Sequence, residues 1–254
     1  MTVATQVSPH LFLNENLSEA DLAGSRLCLA AITTIQQMAD QGRISLTKSG
    51  AFNRKFVVWA VEAFNWPRYT AEELYVVNKV LNEADAPPLN YMHEILVAAK
   101  LIRHAKGQAV VTKAGKEYLG QHGRLQVALF ETFFTRFDFA AHERWPIEMP
   151  ESDTLHFLGV IHCRLADWVT YPEFAGWCLP IFALPAQRGT PEEDAMFYLA
   201  TRLVRPLKWL GLLEERESAR FGPINSIQLR KTALFDKFFR FEVVRDDICT
   251  GRLH

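Results

Sequence analysis

Residues 87–115 leave the chain few choices of fold. Pro87-Pro88 introduces a segment in which Leu89, Met92, Leu96 and Ala99 recur at spacings of three and four, the period of a helix with one apolar face. Leu101-Ile102-Arg103 follows, then His104-Ala105-Lys106-Gly107, then Gln108-Ala109-Val110-Val111-Thr112, and Lys113-Ala114-Gly115 begins again. The turn residues suit a tight hairpin between two short strands. The pattern therefore predicts a helix, a strand, a Gly-containing turn, a second strand and a new helix in immediate succession.

The flanking sequence supplies more helices. Ser18, with Asp21 three residues on, has the form of a capping signal for a stretch running to Asp40, with Leu22, Leu27, Leu29, Ile32, Ile35 and Met38 on helical spacing. Ile44-Ser45-Leu46 is a short extended run, and Thr47 or Ser49 is the expected cap of a helix from Ala51 to Phe64. Trp66-Pro67 stops that helix, and Thr70 with Glu73 caps another from Ala71 to Glu83. Near the C-terminus the order returns. Ala195–Leu213 is apolar and helical in period, with Pro206 expected to divide it. Leu212–Arg216 and Ile224–Leu229 read as strands either side of Gly222-Pro223, and Lys231–Phe241 as a closing helix.

Both passages resemble the winged-helix (winged helix-turn-helix) family, in which an apolar helix precedes a two-stranded wing that closes on a T-x-x-G helix start. Thr112 and Gly115 match that start, whereas the C-terminal passage has Arg230-Lys231-Thr232-Ala233 in its place. The resemblance implies a mainly α fold with short β-hairpins, made of tandem winged-helix-like units joined by a Phe-rich helix. The expected organisation is a helical N-terminal extension over 1–41, a unit over 42–120, a Phe-rich connecting helix and linker over 121–152, and a second unit with a C-terminal tail over 153–254. The connecting stretch carries Leu129, Phe130, Phe133, Phe134, Phe137 and Phe139. A helix apolar nearly all round does not face solvent, so Phe133 and Phe137 are expected inside the molecule or against a second copy.

Composition narrows the function classes. The longest apolar run, Phe174–Ala186, is broken by Pro180 and Pro185 and falls short of the roughly 18 residues of a membrane span. The N-terminus has no basic region followed by a long apolar core. Cys28, Cys163, Cys178 and Cys249 form no CxxC pair and read as reduced thiols, so the expected address is the cytoplasm. No phosphate-binding loop, dinucleotide fingerprint or nucleophile elbow is present. His93-Glu94 and His142-Glu143 begin like a zinc-binding H-E-x-x-H, but Val97 and Pro146 stand at the fifth positions. His156, His162 and Cys163 with Cys178 are the other zinc candidates, and packing inside a helix accounts for them more simply. The chain is expected to be no enzyme and to carry no cofactor or metal.

Charge is distributed unevenly. Residues 42–116 hold 11 Lys/Arg against 6 acids and 201–254 hold 11 against 7, whereas 117–200 hold 5 against 12. Two basic segments flanking an acidic middle point to nucleic acid or to a charged partner. The candidate phosphate-binding cations are Lys106 at the expected wing tip, Lys113, the helical series Arg202, Arg205 and Lys208, and Arg230 and Lys231 at the foot of the second wing. The expected first recognition helix offers Asn90 and His93 but no cation until Lys100, so it reads few bases. Two functions stand side by side. One is duplex DNA binding, with transcription regulation. The alternative is a non-enzymatic protein-interaction module that docks a protein partner or a second copy through Phe133 and Phe137.

Overall fold

The computed structural model describes residues 5–8, 11–143, 154–179, 189–217, 224–242 and 249. The chain is mainly helical with small antiparallel sheets. It forms two compact units, one of Glu15–Phe137 and one assembled from Met1–Asn14 with Asp138–His254. The division falls between residues 137 and 138, before the Pro-containing linker where the sequence placed it. Strands β1 (Thr5–Ser8) and β2 (Leu11–Leu13) belong to the second unit.

In the unit Glu15–Phe137, the Ser18 hydroxyl donates to the Asp21 carboxylate at 2.6 Å, and the Asp21 amide bonds back to Ser18 Oγ. This turn leads into one 3-10 turn, Asp21–Gly24, and helix α1 (Arg26–Gln41) starts after it. Far from being an extension, α1 buries Leu27, Ala31, Ile35 and Met38 in the unit's core. Strand β3 (Ile44–Ser45) follows. Helix α2 (Arg54–Phe64) begins three residues later than the sequence reading, with Asn53 as its cap accepting from the Phe56 amide at 3.0 Å. Thr47 and Ser49, the two expected caps, are engaged in a turn of their own, where their hydroxyls pair with each other and that of Thr47 accepts from the Ala51 amide. Helix α3 (Ala71–Val77) has the Thr70–Glu73 capping box but ends at Asn78, whose side chain donates to the Leu74 carbonyl.

Helix α4 (Pro87–Ala98) presents Leu89, Met92, Ile95 and Leu96 to the core. Strands β4 (Ile102–Ala105) and β5 (Gln108–Val111) form the expected hairpin. Its turn residues Lys106 and Gly107 both take positive φ, 50° and 71°, which matches the twist of the strands. Helix α5 (Lys113–Glu117) is capped by Thr112, whose hydroxyl donates to the Lys100 carbonyl and accepts from the Gly115 amide. A Cβ at position 115 would lie 2.2 Å from the Leu101 carbonyl oxygen, so only glycine fits. Helix α6 (His122–Thr135) buries Leu125, Leu129, Phe130 and Phe133. Phe133 is 0% exposed, and Phe137, beyond the helix end, stacks on Tyr91 at 4.8 Å. The unit's own core takes both rings, so neither lies on a surface open to a second copy.

The second unit repeats much of this order. It contains α7 (Thr154–Arg164), β6 (Val169–Thr170), α8 (Tyr171–Cys178), α9 (Pro191–Leu199), α10 (Arg205–Trp209), β7 (Leu213–Arg216), β8 (Gln228–Lys231), α11 (Ala233–Phe238) and β9 (Phe239–Phe241). A π turn over Ala200–Val204 separates α9 from α10, and Pro206, with no amide to donate, sits where the helix divides. The Gly222-Pro223 turn lies outside the described residues. The expected closing helix stops at Phe238, because Phe239–Phe241 pairs antiparallel with β2, which pairs in turn with β1.

The sheets β3-β5-β4 and β6-β8-β7 have the same strand order and the same register. Ser45 faces Gln108 and Thr170 faces Gln228; Ile102 faces Val111 and Leu213 faces Lys231. The turn into each hairpin matches as well. Lys100 and Gly211 both take positive φ, and the Leu101 and Leu212 amides donate to Leu96 and Leu207. Thr112 and Thr232 each donate a hydroxyl to the turn carbonyl, of Lys100 and Gly211. Thr232 thus fills the place of Thr112, while buried Phe235 stands where Gly115 does.

Cys163 and Cys249 are joined in a disulfide, their Cα atoms 5.1 Å apart, which corrects the reading of four reduced thiols. Cys28 and Cys178 are free and buried. Burial pushes the Cys28 thiol up to about 12, far from the thiolate state that reacts or binds metal. No helix among the described residues is long and apolar enough to cross a membrane.

Candidate functional site

The cations singled out in the sequence meet two fates. In the second unit nearly all are consumed internally. Arg202 makes a bidentate pair with Glu143, at 3.0 and 2.9 Å, and lies over the Tyr198 ring. That pair raises the Arg202 guanidinium further above its usual range. Lys208 pairs with Glu215, whose other oxygen accepts from the Tyr171 hydroxyl. Arg230 pairs with Glu214 and stacks over Trp168, which Arg216 also covers. Lys231 donates to Asp236 at 2.7 Å and to the His162 carbonyl. Arg205 is half-buried.

In the unit Glu15–Phe137 the cations stay available. Lys106 at the hairpin tip and Lys113 at the start of α5 are exposed. Neither is paired with an acid among the described residues, and the same holds for Arg43, Lys48 and Lys55. Three hydrogen bonds gather the chain segments that carry them. Leu46 N–H donates to the Gly107 carbonyl, Asn53 N–H to the Ser45 carbonyl, and the Asn53 side chain to that same carbonyl. Arg43 and Lys55 then line one groove of about 250 Å³ with Gln37, Gln41, Phe56 and Trp59. This groove was not singled out in the sequence, because its residues come from α1, β3 and α2, and no spacing along the chain joins them.

A second constellation lies behind α4. Glu83 and His93 are 2% and 4% exposed. One Glu83 oxygen meets His93 Nδ1 at 2.6 Å, and the other accepts from the Phe52 amide. His93 Nε2 lies 2.8 Å from His104 Nε2, and the His93 ring stacks on Phe52 at 3.8 Å. A carboxylate only accepts, so with neutral imidazoles the proton order is forced. His93 donates from Nδ1 to Glu83, His104 donates from Nε2 to His93, and His104 Nδ1 is left as an acceptor. Burial first, then the repulsion between the two rings when both are protonated, lowers the His104 pKa from 6.5, against an opposing pull from Glu83. His93, a base-reading candidate in the sequence, is thus an internal residue. The outer face of α4 carries Asn90, Glu94 and Val97 instead.

No group of three or more His, Cys, Asp or Glu among the described residues is placed to hold a metal ion. Cys163, one of the zinc candidates, is taken by the disulfide.

Both constellations fall within a stretch that has known relatives. The chain is similar to the Y4jL N-terminal domain over residues 23–124. A curated protein of Sinorhizobium fredii (strain NBRC 101917 / NGR234), named Uncharacterized protein y4jL, is 43% identical over 104 residues. That match covers 41% of this chain and 47% of the relative, so the chain spans about half the length of the curated protein it matches. No solved structure matches.

Proposed function

We propose that this protein is a tandem winged-helix protein whose unit Glu15–Phe137 binds nucleic acid through the phosphate backbone. The wing is β4–β5, and the helix in the recognition position is α4. The observation that carries the reading is the cationic surface formed by the Arg43–Lys55 groove together with Lys48 and the wing tip Lys106, none of them neutralised by an acid among the described residues. Strand order β3-β5-β4 and the Thr112–Gly115 helix start support the winged-helix assignment. Cations so placed displace condensed counterions from a duplex. An aromatic floor of Phe56 and Trp59 also suits unstacked bases. Base reading is weak, because α4 turns Asn90, Glu94 and Val97 outward rather than Arg or Lys.

The test is titration of duplex DNA at several salt concentrations. The variants are a quadruple Arg43→Ala, Lys55→Ala, Lys106→Ala, Lys113→Ala protein and a triple Arg202→Ala, Arg205→Ala, Lys208→Ala protein, each checked for native circular dichroism. The quadruple variant flattens log K against log salt by roughly 0.9 per lost phosphate contact, and the triple variant leaves the slope near wild type. Salt-insensitive binding by the wild type, or equal slopes in wild type and quadruple variant, overturns the proposal.

A second reading, the protein-interaction module, rests on a different observation. Val76 and Val77 are 80% and 79% exposed, and Tyr75 and Val80 beside them are exposed too. Water contact at four large apolar side chains within one short stretch is a property of docking surfaces. Loss of DNA binding in the titration would favour this reading.

A further inference from the structure

The exposed edge of the Glu83–His93–His104 array opens on a cavity of about 430 Å³. Its walls include Ser49 and Gly50 of the turn before α2, Asn90, Glu94 and Val97 of α4, and His104 of β4. A volume of that size is within the roughly 300–1,000 Å³ of small-molecule sites. No Lys or Arg is among its lining residues, which sets it apart from the cationic groove. An ideal Cβ on Gly50 would lie 3.9 Å from both His104 Nδ1 and Cε1, so this edge of the ring faces the cavity wall.

We propose that this cavity binds a guanidinium or amidinium group, with His104 Nδ1 as a hydrogen-bond acceptor held in that role by His93 and Glu83. Three features converge on a cation rich in N–H donors. With both imidazoles neutral, the proton order leaves Nδ1 with a lone pair and no hydrogen. A carboxylate, Glu83, stands behind the imidazoles, and the acidic residue Glu94 lies on the wall. Asn90 and Ser49 add oxygen acceptors on the walls. A planar cation with several N–H groups satisfies such a set, whereas an anion would meet a ring nitrogen without a hydrogen and a carboxylate close behind it. The apolar faces of Val97 and Ala98 leave room for a short hydrocarbon body. A free guanidinium compound and the arginine side chain of a peptide present the same group.

The experiment uses the full chain with ¹⁵N-labelled histidine, observed by long-range ¹H–¹⁵N NMR. Methylguanidinium, a blocked arginine dipeptide and tetramethylammonium, a cation without N–H groups, are titrated in turn. A saturable shift of His104 Nδ1 with methylguanidinium supports a free small molecule as the source. A shift with the dipeptide alone supports an arginine side chain. Glu83→Gln reverses the proton order, placing a hydrogen on His104 Nδ1, and weakens binding at least about tenfold because a donor then faces a donor. His104→Ala, a change at an exposed position that spares the core, is followed by isothermal titration calorimetry because it lacks the reporting ring, and loses binding as well. An unmoved Nδ1 with both N–H cations, an equal response to tetramethylammonium, or wild-type affinity in either variant overturns the proposal.

Discussion

Replacing Glu83 tests the proton order of the buried array directly. Glu83→Ala deletes the acceptor of two buried donors at once, the Phe52 amide and His93 Nδ1–H. Each donor left without a partner costs about 1–3 kcal/mol, or roughly 2–6 kcal/mol for the two. That is a large share of the roughly 5–15 kcal/mol that holds a domain folded. Glu83→Gln behaves differently. Its amide oxygen can accept from Phe52, and its NH₂ can donate to His93 Nδ1 if both imidazoles change tautomer. His93 then donates from Nε2 to His104 Nε2, and the His104 hydrogen moves to Nδ1. Every hydrogen bond survives and a buried charge disappears, so the expected cost is about 1 kcal/mol or less. Urea denaturation gives the two costs, and hydrogen exchange at the Phe52 amide localises them. A Gln variant as destabilised as the Ala variant would refute the reasoning, because it would show that the histidines cannot exchange their protons in concert.

Two further outcomes follow from the core and from the histidines. Phe133→Ala empties a fully buried site beside Tyr91 and Phe137, and should cost about 3–5 kcal/mol in a urea melt; a change under 1 kcal/mol, on the order of a surface substitution, would contradict the packing. His104 and His162 are both lowered from 6.5, chiefly by burial, so the folded chain binds fewer protons than the unfolded chain just below that pH. Their stabilisation is complete above 6.5 and is lost as pH falls through the folded values. Urea midpoints should therefore drop on acidification from about pH 7.5 to about pH 5.5, and less steeply in a His104→Asn, His162→Asn double variant; an unchanged slope would refute the assignment.

What the sequence disclosed was the local part. The hairpin from Ile102 to Val111 was legible because its turn, its strands and its Thr112 cap are neighbours in the chain. The spacing of Arg202, Arg205 and Lys208 was misleading for two physical reasons. A π turn over Ala200–Val204 interrupts the helical phase, and Glu143, far along the chain, and Glu215, on the strand after α10, claim two of the three charges. Glu83, His93 and His104 meet from a 3-10 turn, a helix and a strand, so no periodicity announces them. The same is true of Cys163 and Cys249, 86 residues apart, whose pairing only the fold can bring about.

The pairing of β2 with β9 also sets a calendar for synthesis. A ribosome delivers Leu11 and Leu13 long before their strand neighbours Phe241 and Phe239. The intervening Glu15–Phe137 unit has all its residues in hand while much of the other is still unmade. Until translation reaches Phe239, the strand carrying two leucines buried in the finished sheet has only β1 beside it and an open edge on its other side, and an open edge on a nascent strand invites chaperones or mispairing. A messenger cut short before that codon would yield a chain with one unit whole and the other missing the strand that closes its sheet. Completion of this sheet therefore reports that everything from Leu11 to Phe241 has been made.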